Sequence, residues 1–311
     1  MLKTPMDVLH MFPVRKTKTQ KQAFRNAVQS YASGLGYEVK IEKGSMGVRN
    51  MVIGNPDTAK YLVTAHYDTC ARMFIPNMVT PCNALLFWSY QILLVLLLMI
   101  GTLIISTLAC LIVGTVKIAS TVAIISYWTL LLMMMFGPAN TSNANDNTSG
   151  VVALLEILRT MPENRRNNVC FVLFDMEEKG LLGSSAYRKA HKKQTNCQVV
   201  LNMDCVGDGD NILLIPSRKL KKNIQKIAPL YQHCGYFGHK SMLVKDKGYC
   251  YYPSDQTNFP YGVGIGAFHK KKWIGHYYSR IHTSKDTVLD ITNVNILRAA
   301  ITSLVCSDAA Q

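Results

Sequence analysis

Apolar residues run almost unbroken from 85 to 113 (LLFWSYQILLVLLLMIGTLIISTLACLIV) and again from 118 to 136 (IASTVAIISYWTLLLMMMF). Only Gly114, Thr115, Val116 and Lys117 separate the two runs. Each is long enough to cross a bilayer as a helix, since about 20 apolar residues span its hydrocarbon core. Elsewhere the pattern is that of a layered soluble domain. Residues 19–35 place Ala23, Phe24, Ala27, Val28 and Tyr31 at helical spacing and stop at Gly34 and Gly36. Strand-like runs follow at 37–42, 49–53 and 61–65, with a turn at 54–57. Beyond the apolar block, 150–160 reads as a helix with one apolar face, and 169–174 (VCFVLF) as a strand covered on both faces. A helix at 184–193, a strand at 198–203 and helices near 219–232 and 293–307 complete the reading. Alternating strands and helices predict an α/β domain: a mostly parallel mixed sheet flanked by helices. A transmembrane helical hairpin is inserted in it.

Charge sharpens the division. Of 34 basic and 19 acidic side chains, only Lys117 lies within 84–136. The other 258 residues carry an ordinary globular charge density, which excludes a polytopic transporter, a disordered chain and a collagen-like one. The expected organisation is therefore a discontinuous soluble domain, 1–83 with 137–311, and a hairpin, 84–136. Two spans return the chain to the side it left, and the excess of Lys and Arg on the flanks places them in the cytoplasm by the positive-inside rule. The nine cysteines are odd in number and lack any C-x-x-C pair, which predicts free thiols rather than a disulfide framework or a cysteine zinc site. Free thiols, and a start (1–13) without a signal-peptide pattern, agree with a reducing compartment. Basic clusters at 15–18, 218–222 and 270–272 read as solvated surface that can touch anionic lipid. No aromatic residues are interleaved with them as nucleic-acid binding would require.

Five segments at strand ends carry the candidate chemistry. They are His66-x-Asp68 after the 61–65 run, Asp146 in a polar turn opening a helix, Glu177 and Glu178 after the central strand, Asp204 after another, and His282. Ligands in parallel α/β sheets bind outside the carboxyl ends of the strands. Acids gathered there repel one another unless a cation intervenes, and a mixed histidine–carboxylate set suits zinc or a similar transition metal. Each residue has a plainer reading: Asp146 as a helix cap, Glu177 with Glu178 as a solvated pair, Asp204 as a turn former. His282 competes with His269 and His276.

Together the segments resemble the M28 family of co-catalytic di-zinc metallopeptidases, relatives of bacterial leucyl aminopeptidase. The matching pieces are AHYDT at 65–69, NANDNTSGV at 143–151, FDMEEKGLLGS at 174–184, NMDCVG at 202–207 and HTSKDT at 282–287. Ser254, Asp255 and Phe259 resemble the family's Ser-Asp segment. The resemblance implies a zinc-exopeptidase fold and two zinc ions, with manganese or cobalt as alternatives. Asp146 would bridge the metals, Glu178 and His282 would complete one site, and His66 and Asp204 the other. Glu177 would be the general base toward a metal-bridged water, with Asp68 orienting His66. The implied activity is aminopeptidase hydrolysis of peptides. A glutaminyl-cyclase-like enzyme on the same scaffold and a non-catalytic membrane receptor or scaffold are the alternatives.

The chain departs from the family between Asp68 and Asp146, where the apolar block lengthens a connection of roughly twenty residues. Only residues 137–145 separate the block from Asp146. At about 3.3–3.6 Å per residue that tether reaches roughly 35 Å, which holds the metal centre near the bilayer surface. The expected partners are therefore a peptide substrate, membrane-associated or emerging from the bilayer, and the lipid itself.

Overall fold

The computed structural model describes residues 2–307. Eight α-helices are α1 (Asp7–Met11), α2 (Lys18–Gly34), α3 (Ala84–Val113), α4 (Val116–Phe136), α5 (Gly150–Thr160), α6 (Leu182–Ala190), α7 (Arg218–Lys221) and α8 (Ile291–Ser307). Ten strands are β1 (Val39–Lys43), β2 (Arg49–Ile53), β3 (Tyr61–His66), β4 (Val169–Phe174), β5 (Val199–Met203), β6 (Asn211–Pro216), β7 (Gly235–Phe237), β8 (Lys240–Val244), β9 (Gly262–Lys271) and β10 (Gly275–Tyr277).

They form one sheet in the order β1-β2-β4-β3-β5-β9-β6-β8-β7, with β10 paired to β9. The four central strands, β4-β3-β5-β9, are parallel, and the outward pairs are antiparallel except β6 with β8. Side chains alternate across the sheet with a period of two. Met51, Val63, Phe171 and Leu201 point into a core under α2, α5 and α8. Val52, Leu62, Val172 and Val200 point into a second core with Tyr187 of α6. Burial on both faces explains the unbroken apolar run of β4. The register pairs His66 with Phe174 and Thr64 with Asn202, so the carboxyl ends of β3, β4 and β5 share one rim.

The sequence reading holds for the first half of the domain and for the last helix; it needs changes beyond residue 205. Strands β6 to β10 were not anticipated. The helix expected near 219–232 is the short α7 followed by 3-10 turns over Ile224–His233. Pro229 lies inside those turns, and its missing N–H and ring prevent a regular α-helix. The cysteine expectation is also corrected. Cys82 and Cys250, with Cα atoms 4.4 Å apart, form a disulfide across 168 residues, while the other seven are free. Parity and spacing give no hint of such a long-range pair.

The hairpin helices are both long and apolar enough to cross a membrane. The Asn83 side chain accepts from Leu86 N at the start of α3, and Gly114 at φ 72° ends it, a left-handed conformation that glycine adopts at little cost. The helices run antiparallel: Ser106 Oγ donates to Ala119 O (3.0 Å), and Gly101 faces Leu130. By that register the end of α4 at Phe136 is level with α3 near Leu94. At 1.5 Å per residue, α3 is about 45 Å long and exceeds a ~30 Å hydrocarbon core. Its first ten residues are the excess, and they lie along the soluble domain. There Phe87 packs against Tyr251, Tyr90 Oη donates to Pro76 O, and Asn83 Nδ2 donates to Ile274 O (3.2 Å).

Candidate metal centre

At the shared rim, each candidate side chain is placed by the way its strand ends. His66 is the last residue of β3, and its Nδ1 lies 3.1 Å from Asp68 O and 3.6 Å from Asp68 Oδ1. The nearer main-chain oxygen sets the ring's orientation. The Asp68 carboxylate does something the sequence did not suggest: it accepts from the main-chain N–H groups of Glu177 (3.0 Å) and Glu178 (3.3 Å). It thereby holds the Glu-Glu turn after β4 against the end of β3.

His66 Nε2 lies 3.3 Å from Asp146 Oδ1 and 3.5 Å from Asp204 Oδ1. His282 Nε2 lies 3.1 Å from Asp146 Oδ2 and 3.4 Å from Glu178 Oε2. The two oxygens of Asp146 therefore face different histidines, one beside Asp204 and the other beside Glu178. Ligand-type atoms of His66, Glu177 and Asp204 fall within 4.8 Å of one another, as do those of His66, Asp146 and Glu178. All seven residues singled out from the sequence meet at one locus. His269, the competitor, pairs instead with Asp208 (3.0 Å), and His276 lies on β10. Asp146 does not cap α5: the side chain that accepts from its first N–H, Gly150 N, is Asn147 (3.0 Å).

Several residues of the site were not identified from sequence. Asp286 accepts from Asn145 N (2.7 Å) and Asp146 N (3.0 Å), fixing the main chain that presents Asp146. Asn145 Oδ1 accepts from Gly207 N (2.7 Å) and Asp208 N (3.0 Å), and Asn147 Nδ2 donates to Met203 O (3.0 Å). These bonds sew the Asp146 turn to the end of β5. Asp286 was quoted within its segment, four residues after His282, but nothing in a sequence distinguishes a carboxylate holding a backbone from one on the surface. Asp255 is fully buried beside the cluster.

The electrostatics are those of acids crowded without enough cations. Burial pushes the Glu177 and Glu178 carboxyls well above their ordinary values; His66 pulls both down, and Asp204 pushes both further up. Burial also lifts Asp255 to about 7 and Asp286 to about 8, with Asp146 raising the latter further. Burial would raise Asp146 too, but its bonds to His282 and His66 outweigh this and bring it down. Burial lowers His66, yet the Glu177 charge and bonds to Asp146, Asp204 and Asp68 leave it well above the usual range. Arg15 is buried nearby, but its guanidinium donates to Tyr67 O, Phe12 O and Thr148 Oγ1 rather than to these acids.

A divalent cation fits this donor set. Glu178 Oε1, Asp204 Oδ1 and both oxygens of Asp255 are buried without a hydrogen-bond partner, and buried polar atoms left unpaired are costly. Imidazole and carboxylate are the ligands that zinc takes. Cys70 and Cys205 also lie within reach, and burial raises both thiols well above their ordinary values.

The model of Peptidase family M28 matches residues 129–305, more than half of the chain. The chain is a member of the M28 peptidase family. No curated protein matches it by sequence. Among solved structures, this M28 protein is similar to the Legionella pneumophila LapA aminopeptidase at 14% identity and TM-score 0.60, covering 99% of this chain and 69% of that one. LapB from the same organism matches at 15% identity and TM-score 0.59, over 99% and 71%. Porphyromonas gingivalis glutaminyl cyclase matches at 16% identity and TM-score 0.56, over 96% and 94%. Identities this low establish the shared fold and leave the reaction to the site.

Proposed function

We propose that this M28 protein is a membrane-anchored zinc metallopeptidase, most simply an aminopeptidase. One observation carries the reading: each oxygen of Asp146 faces a different histidine, with the unpaired oxygens of Asp204 and Glu178 on either side. That arrangement suits two zinc ions, one held by His66 and Asp204, the other by Glu178 and His282, with Asp146 shared. Bound there, zinc would polarise a substrate carbonyl and acidify water. Glu177 is the group left over, and the raised proton affinity of its carboxyl suits a general base that passes a proton to the leaving amine. Asp68 positions that base through the Glu177 N–H. Asp286 positions Asp146 through two main-chain bonds.

The hairpin 84–136 would span the bilayer as an insert in the domain formed by 1–83 and 137–311. The disulfide bears on the side. Within about 20 residues of the helix ends, where positive charge orients a hairpin, Arg72 on the flanks is balanced by Lys117 in the turn. Bulk charge on a large domain contributes little, and the Cys82–Cys250 bond weakens the free-thiol argument for the cytoplasm, although seven cysteines remain free. Disulfides persist in oxidising compartments, so we infer that the catalytic domain faces one. Mass shift with a maleimide reagent, with and without reductant, on intact cells tests this. Labelling of Cys82 and Cys250 without reductant would return the domain to the cytoplasmic side.

The decisive activity test is the full chain in detergent with Glu177→Gln. Its zinc content should stay at the wild-type level while turnover of peptides with a free N-terminus falls about 10²–10⁴-fold. Equal turnover by the variant would remove the hydrolase reading. The fold shared with a glutaminyl cyclase favours a second substrate for the same assay, a peptide beginning with glutamine. Cyclisation in place of hydrolysis would reassign the enzyme.

A further inference from the structure

Beside the centre lies a cleft of about 520 Å³ between the hairpin and the loop at 72–75. Its α3 wall includes Leu94, Leu97 and Gly101, and its α4 wall Leu130 and Met133. By the helix register these residues sit within the first turns of the hairpin beyond the soluble domain, where a bilayer's hydrocarbon would begin. Its mouth carries one cation, Arg72, which is exposed and has no acidic partner among the described residues. Its third wall is Met73, whose N–H donates to His282 O (2.8 Å) and whose Sδ lies 3.3 Å from His282 Nδ1. One methionine and one imidazole therefore separate the cleft from Asp146. The same loop is bound to the chain leaving α4, through Arg72 N to Pro138 O (2.8 Å) and a bridge between Ala71 and Ala139.

The volume is that of a small-molecule site, within about 300–1,000 Å³. A helix about 10–12 Å across would fill it with a single 5.4 Å turn, so neither a partner span nor a second copy of the hairpin fits. An extended apolar chain does. Apolar walls with one unpaired cation at the mouth complement an amphiphile with a single chain and an anionic end. The geometry points to a subsite for a long acyl chain bearing a carboxylate, and hence to an acylated amino acid or short peptide as the substrate of the adjoining centre. The second half rests on the hydrolase reading above. The reaction remains hydrolysis: the amide C–N bond breaks, water's hydroxyl joins the carbonyl carbon and its proton joins the nitrogen. Met73 is unbranched and adaptable, which suits a wall that must yield when the head group reaches the centre.

The test uses the full chain in phosphatidylcholine nanodiscs. A short peptide with a free carboxylate is compared with the same peptide carrying a myristoyl chain on an internal lysine. A Cβ at Gly101 would meet Leu130 at 3.7 Å, so a methyl fits but the ring of Gly101→Phe must enter the cleft. In that variant the ratio of kcat/KM for acylated over plain peptide should fall at least tenfold. Leu111→Phe, exposed at the far end of α3, should keep the wild-type ratio. Arg72→Gln should abolish any preference for the free acid over its methyl ester. Gly101→Leu serves if the phenylalanine variant does not fold. In parallel, a photoactivatable fatty acid should label residues 130–134 saturably in the wild type and not in Gly101→Phe. An unchanged ratio, or labelling equal in both proteins, would mean that bulk lipid alone fills the cleft and would overturn the proposal. Saturable labelling lost in Gly101→Phe, with neither peptide cleaved, would support the cleft and sink the hydrolase reading.

Discussion

The domain buries carboxylates in two different ways. At Asp175 the chain supplies its own cation. Asp175 is paired with buried Lys21 at 2.6 Å, and the converse holds at buried Lys240, which partly exposed Asp290 and Asp210 neutralise at 2.6 Å and 3.0 Å. At the rim of β3, β4 and β5, Asp146, Glu177, Glu178, Asp204 and Asp255 converge on two histidines, and among the described residues no lysine or arginine donates to them. A buried charge left unpaired is far more costly than a paired one. The contrast marks the second set as built around a cation that arrives from outside.

Removing that cation should have the largest effect. Prolonged chelation should bring peptide turnover to background, and added zinc should restore it. Asp146→Asn, which weakens the carboxylate that faces both histidines, should cost on the order of 10³-fold in kcat/KM, about 4 kcal/mol, with little recovery at high zinc. Persistent turnover by the chelated protein would erase the distinction between the two kinds of buried acid.

Sign reversal sharpens the comparison. Lys21→Met leaves Asp175 buried and alone and should destabilise the domain by about 3–5 kcal/mol in denaturant titrations; the double variant with Asp175→Leu should recover most of that. At the centre, deleting a charge without metal should do the opposite. Asp204→Asn in the presence of chelator should be neutral or stabilising by roughly 1 kcal/mol, because one repulsion is relieved. With saturating zinc the same substitution should lower stability, since ligand binding to the native state is lost. A loss of stability in both conditions would mean that Asp204 is held by contacts of its own.

Much of this was legible from residues. Apolar alternation and its absence located β2 to β5, and helical spacing located α2, α5 and α8, because those elements are buried on faces set by sequence period. The second half of the sheet was not legible. In β6, β8 and β9 the partners are far apart in sequence, and glycines at 262, 264 and 266 interrupt the apolar pattern of β9. At 264, a Cβ would meet Gln256 and Tyr252 under 3.0 Å away, so close packing rather than local propensity sets the residue. The seven residues that meet at the rim were legible because few structural needs place His, Asp and Glu together at strand ends. Asp286, Asn145 and Met73 were not, since each acts through the main chain or ring of another residue. The Cys82–Cys250 pair was invisible for a related reason: nothing local relates two cysteines 168 residues apart.

Asp286 gives the next effect in size. Among the described residues it makes no ion pair with His66 or His282, yet it holds the N–H groups of Asn145 and Asp146. Groups that orient a ligand in this way typically contribute 10–100-fold in metal affinity. Asp286→Ala should therefore weaken zinc binding by that factor in competition with a chromogenic chelator. At saturating zinc, turnover should return to near the wild-type rate. Failure to recover at high zinc would place Asp286 in the chemistry instead.

His276 supplies the smallest effect and a third way to bury a polar group: it forgoes the charge. It sits on β10 opposite Lys270, buried, with Nε2 lacking a hydrogen-bond partner. Burial, with Lys245 and Lys270 nearby, lowers its pKa to about 4, against an ordinary value of 6.5. The unfolded chain therefore takes up this proton before the native one does. Its contribution to stability is complete above pH 6.5 and is lost progressively as the pH falls toward 4. Solvent around exposed Lys270 and half-buried Lys245 screens their repulsion, so the loss should be about 1 kcal/mol rather than the full value of the shift. His276→Phe should remove it. Subtracting the variant's stability from the wild type's at each pH cancels the many carboxylates common to both, and the difference should slope only between pH 4 and 6.5. A flat difference would mean that the imidazole finds a proton acceptor on folding, and that this rim of the sheet, like the Lys21 and Lys240 sites, neutralises what it buries.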